Sequence, residues 1–178
     1  MHLFDPRPSW PEGTARVNVM QLRAPWFLRM PDETVQQVTG FLKQNNIALA
    51  VPLGFVSSDT CGQGVEGLGN ARQQAVYPRE MKKRGIDLDY VVMDEPLFFG
   101  HDYSGTNACN FSIQQVAESV ARNVKAIRSY YPKVQFVLVE PEQSLQGGVA
   151  ELSQFLDAYQ AALNELPVAV RFDLAWGL

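Results

Sequence analysis

Short runs of apolar and β-branched residues alternate along this chain with longer stretches whose apolar positions recur at helical spacing. The runs Val17 to Leu22, Ile47 to Phe55, Leu88 to Glu95, Val134 to Glu140 and Val168 to Leu174 predict five strands, separated by four helical intervals. The first interval opens with Pro31-Asp32-Glu33, proline and acids suited to a first helical turn, and continues with Val35, Val38, Phe41 and Leu42 on one stripe. The second, around Asn70 to Arg84, is less periodic and ends at Gly85. The third carries the capping-box pattern Ser112…Gln115 with Ile113, Val116, Ala117, Val120, Val124 and Ile127 on one stripe, and the fourth carries Val149, Leu152, Phe155, Leu156, Tyr159 and Leu163.

Successive predicted strands start about 30 to 46 residues apart, the span of a strand, a helix and their two loops. That repeat predicts an α/β fold with a parallel sheet. No Gly-x-Gly-x-x-Gly follows the first strand and no Walker sequence is present, which turns the reading from nucleotide-binding folds towards a barrel. A closed (β/α)8 barrel takes about 250 residues, whereas this chain has 178. The expectation is one domain, residues 1–178, forming a partial TIM barrel of about five parallel strands with intervening helices. Its edges, Val17 to Leu22 and Val168 to Leu174, would carry unpaired backbone groups and invite self-association.

Composition narrows the partners. With 46% hydrophobic and 19% charged residues and a net charge of −4, the chain reads as an ordinary globular domain without the basic patch that nucleic acid or an anionic membrane demands. No apolar run approaches the length of a membrane span, and Met1-His2-Leu3-Phe4-Asp5-Pro6 lacks the basic and apolar regions of a signal peptide. As written, the sequence shows no export address. Cys61 and Cys109 are too few for a structural zinc site and form no CxxC motif. On a barrel their loops share one face, where they can be joined by a disulfide that would point to an exported parent; two separate thiols are the other option.

The chemistry gathers at strand ends. Asp94-Glu95-Pro96 closes one predicted strand and Glu140-Pro141 another, and ligands of parallel α/β sheets bind at the carboxyl ends of the strands. Proline stops a strand and holds the preceding residue extended, so both glutamates are expected to be displayed on the functional edge. Glu95 and Glu140 are therefore the candidate catalytic pair. If their strands are neighbours, their mutual repulsion raises one pKa towards a general-acid role. Asp94 and Glu95 are successive, so strict alternation sends only one of them into the barrel mouth.

Val91-Val92-Met93-Asp94-Glu95-Pro96 resembles the end of the fourth strand in glycoside hydrolases of the large retaining (β/α)8 clan, where Asn-Glu-Pro carries the acid/base glutamate. Here Asp94 stands in place of the asparagine that contacts the sugar 2-hydroxyl in that clan. From about Val17 to Trp176, including Cys61 to Gly67 and Met93 to His101, the chain also resembles a group of bacterial glycosidase-like barrel proteins. The resemblance implies a carbohydrate partner and no cofactor. It numbers the five strands second to sixth, ending Glu95 on the fourth, Glu140 on the fifth and Asp173 on the sixth, with the clan's nucleophile on a seventh strand outside the chain.

Further substrate contacts are expected from Glu66 in the glycine-rich loop, His101 and Tyr103 in the loop after Glu95, Asp173, and Trp176 as a platform for a sugar ring. Two other classes compete with a glycosidic hydrolase. One is a non-catalytic carbohydrate-binding barrel; the other is a divalent-metal-dependent barrel isomerase or aldolase using Asp94, Glu95, Glu140, Asp173 and His101 as ligands.

Overall fold

A computed structural model describes residue 4 and residues 11–69, 71–141 and 144–173. The elements run α1 (Pro11–Thr14), β1 (Val19–Gln21), α2 (Ala24–Arg29), α3 (Asp32–Gln44), β2 (Ala48–Leu53), β3 (Val56–Ser57), β4 (Leu68–Gly69), α4 (Ala71–Lys83), β5 (Tyr90–Asp94), a π-helical turn (Phe98–Asp102), α5 (Ile113–Arg128), β6 (Gln135–Glu140), α6 (Gly148–Leu163) and β7 (Ala169–Phe172). All five predicted strands form, each shorter than its apolar run. The last run reaches Leu174, which lies outside the described residues.

The main sheet has the order β1-β2-β5-β6-β7, every neighbouring pair parallel. The order follows the sequence without reversal, as a barrel requires, whereas a doubly wound sheet reverses at a switch point. The fold is therefore a five-stranded, open part of a (β/α) barrel. Its edge strands show apolar side chains to solvent, among them Val19 on β1 and Val170 and Phe172 on β7, with Val168 just before it.

Alternation along the strands separates two cores. Val91 and Met93 of β5 and Phe136 and Leu138 of β6 face the helices and join the large core with Val116, Val120, Phe155 and Tyr159. On the concave side, Ala50, Val92 and Val139 form a small cluster flanked by Tyr90 and Val137. Ser112 caps α5 as its pattern predicts: its side chain accepts from the Gln115 amide, while Gln115 Oε1 accepts from the Ser112 amide at 2.8 Å. That helix presents Val116, Ala117, Val120, Val124 and Ile127 to the core.

Two local features lie outside the predicted elements. β3 and β4 form a two-residue parallel ladder, Val56↔Leu68 and Ser57↔Gly69, too short to leave a periodic signal. The loop between them is tied to the loop after β5 by the Cys61–Cys109 disulfide, with Cα atoms 5.2 Å apart, and by Gly62 and Asn107, whose backbone groups bond at 2.7 Å.

Candidate active site at the carboxyl ends of the strands

At the mouth of the open barrel a cavity of about 300 Å3 is lined by Arg23, Pro52, Glu66, Gly67, Tyr77 and Asp94, among others. Asp94 follows Val92 on the concave side, as alternation requires. Burial raises its pKa, and Glu66 raises it further, while the Arg171 and Arg23 guanidinium groups pull the other way. Neither arginine was singled out in the sequence. Arg171 is reached by register alone, since it pairs with Val139, which in turn pairs with Asp94 across β6.

Strict alternation would turn Glu95 towards the helices. Its backbone prevents this: φ is 48°, a left-handed conformation that a non-glycine residue adopts at a cost of order 1–3 kcal/mol. The turn is fixed on both sides, with the Glu95 amide donating to the Val139 carbonyl and its carbonyl accepting from the Phe99 amide, each at 3.0 Å. Glu95 thereby stays in the electrostatic company of Asp94, Asp173 and Glu66. Burial first, then these three negative charges, push its pKa up to about 7. Asp94 lines the mouth, and the left-handed turn at Glu95 breaks the alternation that strand parity predicts.

Glu140 departs from the expectation in the opposite sense. The strand ends at Glu140 as its proline predicts, but the side chain follows Phe136 and Leu138 to the helix side and is 0% exposed. Its two oxygens accept the amides of Leu97 at 2.8 Å and Phe98 at 3.1 Å, capping the π-helical turn that follows Glu95. Burial drives its pKa up to about 8 against the pull of those two amides, with Glu95 and Asp102 adding to the rise. The carboxylate expected on display is sealed behind the mouth, in contact with the turn that carries Glu95.

The remaining predicted residues divide. Glu66 is exposed on the cavity wall, and Asp173 is exposed at the end of β7, its amide donating to the Glu140 carbonyl at 3.0 Å. Tyr103 packs with Phe98 and Phe99, ring centroids 6.4 and 5.6 Å away, so all three rings are engaged with one another. Trp26 packs on Phe4 at the core margin. Trp176 lies outside the described residues.

His101 also leaves the mouth. Its Nδ1 faces the Phe111 carbonyl oxygen at 2.5 Å and its Nε2 lies 2.9 Å from Glu151 Oε1. Together with Asp102 they form a group whose potential ligand atoms lie within 4.8 Å of one another, the one such group among the described residues. Of the ligand set expected from the sequence, Asp94, Glu95, Glu140, Asp173 and His101, this group contains His101 alone. Asp102 adjoins a residue singled out in the sequence; nothing local marked Glu151, which sits in the first turn of α6. The donor set, one imidazole nitrogen and two carboxylates, fits a divalent ion of the zinc, manganese or cobalt kind. Among the described residues no helix is long and apolar enough to cross a membrane.

No protein-family model and no curated protein matches the chain. Solved structures do match in fold. A D-psicose 3-epimerase with D-tagatose, from Clostridium cellulolyticum H10, shares 16% identity over 92% of this chain and 55% of its own, with a TM-score of 0.54. A D-psicose 3-epimerase in the presence of D-fructose gives 12% identity, 96% and 58% coverage and a TM-score of 0.49. An endo-1,4-beta-mannanase from Eisenia fetida gives 13%, 78% and 47%, with a TM-score of 0.42. The chain spans a little over half the length of the two epimerases. At these identities the likeness speaks to architecture alone: this protein is a partial, open (β/α) barrel, similar in fold to a D-psicose 3-epimerase.

Proposed function

We propose that this chain forms the substrate-facing part of a carbohydrate-directed barrel enzyme that works by proton transfer at Glu95, closer to the divalent-metal-dependent isomerases and aldolases than to the two-carboxylate hydrolases. The observation that carries this reading is the contrast between the two strand-end glutamates. Glu95, next to Asp94 in the chain, has a pKa of about 7 and can take or give a proton near neutral pH. Glu140, the partner a hydrolase would need, is sealed and committed to two backbone amides. Arg23, Asp94 and Glu66 offer a charged wall for sugar hydroxyls. His101, Asp102 and Glu151 would hold the cation. A divalent ion held there, outside the cavity at the mouth, would fix the position of the turn that follows Glu95. The fold shared with an epimerase that binds D-tagatose is consistent with a small sugar as substrate.

Glycoside hydrolysis remains a second reading, favoured by the acid pKa of Glu95 and by Asp94 beside it as the other carboxylate. One experiment separates the readings. The protein is incubated with D-tagatose or D-fructose in D2O, with and without Mn2+, and in parallel with aryl glycosides. Cation-dependent deuterium incorporation next to the sugar carbonyl, falling by at least ~10²-fold in Glu95→Gln, is the expected result. Aryl-glycoside cleavage without exchange would establish hydrolysis instead, and sugar binding with neither activity would reduce the chain to a binding module.

A further inference from the structure

The group formed by His101, Asp102 and Glu151 joins the end of the π-helical turn to the first turn of α6, and none of the three lines the cavity at the mouth. Asp102 and Glu151 are 8% and 7% exposed, while the His101 side chain keeps 32%, which leaves an approach for an ion from the imidazole side. Each of the three is held by a backbone group through an atom that need not ligate. Because a carbonyl oxygen only accepts, the 2.5 Å contact to Phe111 places the hydrogen on Nδ1 of His101 and turns Nε2 towards the carboxylates. Glu151 Oε2 accepts the Gly147 amide at 2.8 Å, leaving Oε1 facing Nε2. Asp102 Oδ2 accepts the Gln146 amide at 3.3 Å. Fixing of the ligand and its tautomer by an outer hydrogen bond is the arrangement found around metal-bound histidines.

Gly147 makes the approach feasible: a β-carbon there would come within 2.8 Å of Glu151 Cβ and 3.1 Å of Oε2.

The geometry points to a binding site for one divalent transition-metal ion on His101 Nε2 and one carboxylate oxygen each from Asp102 and Glu151, tying the turn after β5 to the start of α6. Imidazole nitrogen with two carboxylates selects zinc, cobalt or manganese over calcium, which takes six to eight oxygens. The three ligands are positioning residues: they fasten the turn Phe98–Asp102, whose first amides Glu140 holds and which follows Glu95 in the chain. The site supplies the location of the cation in the function proposed above and rests on that reading only for its link to catalysis.

The test is binding, read without any activity. The full chain carrying His2→Ala, which removes the only other histidine, is stripped with a chelator and titrated with Zn2+ and Co2+. One equivalent should bind with micromolar or tighter affinity, release protons, raise the melting temperature and give visible Co2+ absorption. His101→Ala and Glu151→Gln should each weaken binding at least tenfold. If either variant fails to fold, 15N spectra of the His2→Ala protein decide, since Zn2+ should move the His101 Nε2 resonance far more than Nδ1. No saturable binding below millimolar metal, unchanged affinity in a folded His101→Ala, or an unmoved Nε2 resonance would overturn the site. Loss of sugar exchange in Glu95→Gln with metal binding intact would leave the site standing and concern only the catalytic reading.

Discussion

Gly67 lies so close to the backbone carbonyl of Asp94 that a β-carbon would come within 2.6 Å of that oxygen and 3.0 Å of the Phe99 ring. This contact seats the loop between β3 and β4 on the strand end and puts the neighbouring Glu66 on the cavity wall. Gly67 also has a φ of 69°. Gly67→Ala should therefore destabilise the protein by about 1–3 kcal/mol and disturb the mouth as well. Gly64, with φ 77° and nothing within 4 Å of its would-be β-carbon, carries the backbone cost alone. Urea denaturation of the two alanine variants separates the effects; equal losses would show that the close approach does not matter.

Stability should fall with rising pH because of Glu95. Its folded-state pKa of about 7 exceeds the ordinary 4.5, so the folded protein holds the proton more tightly than the unfolded chain does. Its contribution is fully present below about pH 4.5 and is lost as pH rises through about 7. Glu95→Gln should remove this dependence, so that the variant gains in melting temperature over the parent between pH 5 and pH 8. A constant difference across that range would mean that Glu95 titrates normally.

Glu140 is predicted to act as a cap. Glu140→Ala leaves the amides of Leu97 and Phe98 without their acceptor, at ~1–3 kcal/mol for each buried donor orphaned. Glu140→Gln retains one acceptor oxygen and should cost less. Denaturant midpoints test the order; an alanine variant as stable as the parent would remove the capping role.

Reduction of Cys61–Cys109 should destabilise the fold by ~2–4 kcal/mol, because the bond closes a loop with a sequence separation of 48. The loop carrying Glu66 then loses its covalent tie to the loop after β5, so carboxyl NMR should show the Glu95 titration moving down towards the ordinary value. An unchanged Glu95 titration in the reduced protein would mean that the disulfide does not hold the Glu66 loop in place.

The open edges predict association. Val168 is 54% exposed and Val170 and Phe172 38% and 43%, beside a strand edge with unpaired backbone groups. Light scattering should show mass rising with concentration, and Val170→Lys should suppress it. A cooperative monomer at high concentration would show that the edges are harmless as they stand.

The sequence by itself determined the elements whose information is local. Short apolar and β-branched runs marked five strands, the Ser112…Gln115 box marked the start of α5, and the spacing between runs predicted parallel crossovers. Strand-terminal prolines marked where β5 and β6 stop. What the strand ends do was decided by tertiary structure. Glu95 and Glu140 look alike in sequence, yet the left-handed backbone at Glu95, held by Val139 and Phe99, takes one out of strand alternation and leaves it half-buried, while parity with Phe136 and Leu138 buries the other. Glu151 meets His101 only because α6 packs beside the turn after β5, and Arg171 approaches Asp94 only through the register of three strands. Periodicity encodes which face a residue takes within an element; it carries no record of the backbone where the element ends, nor of which distant side chains packing brings to the same point.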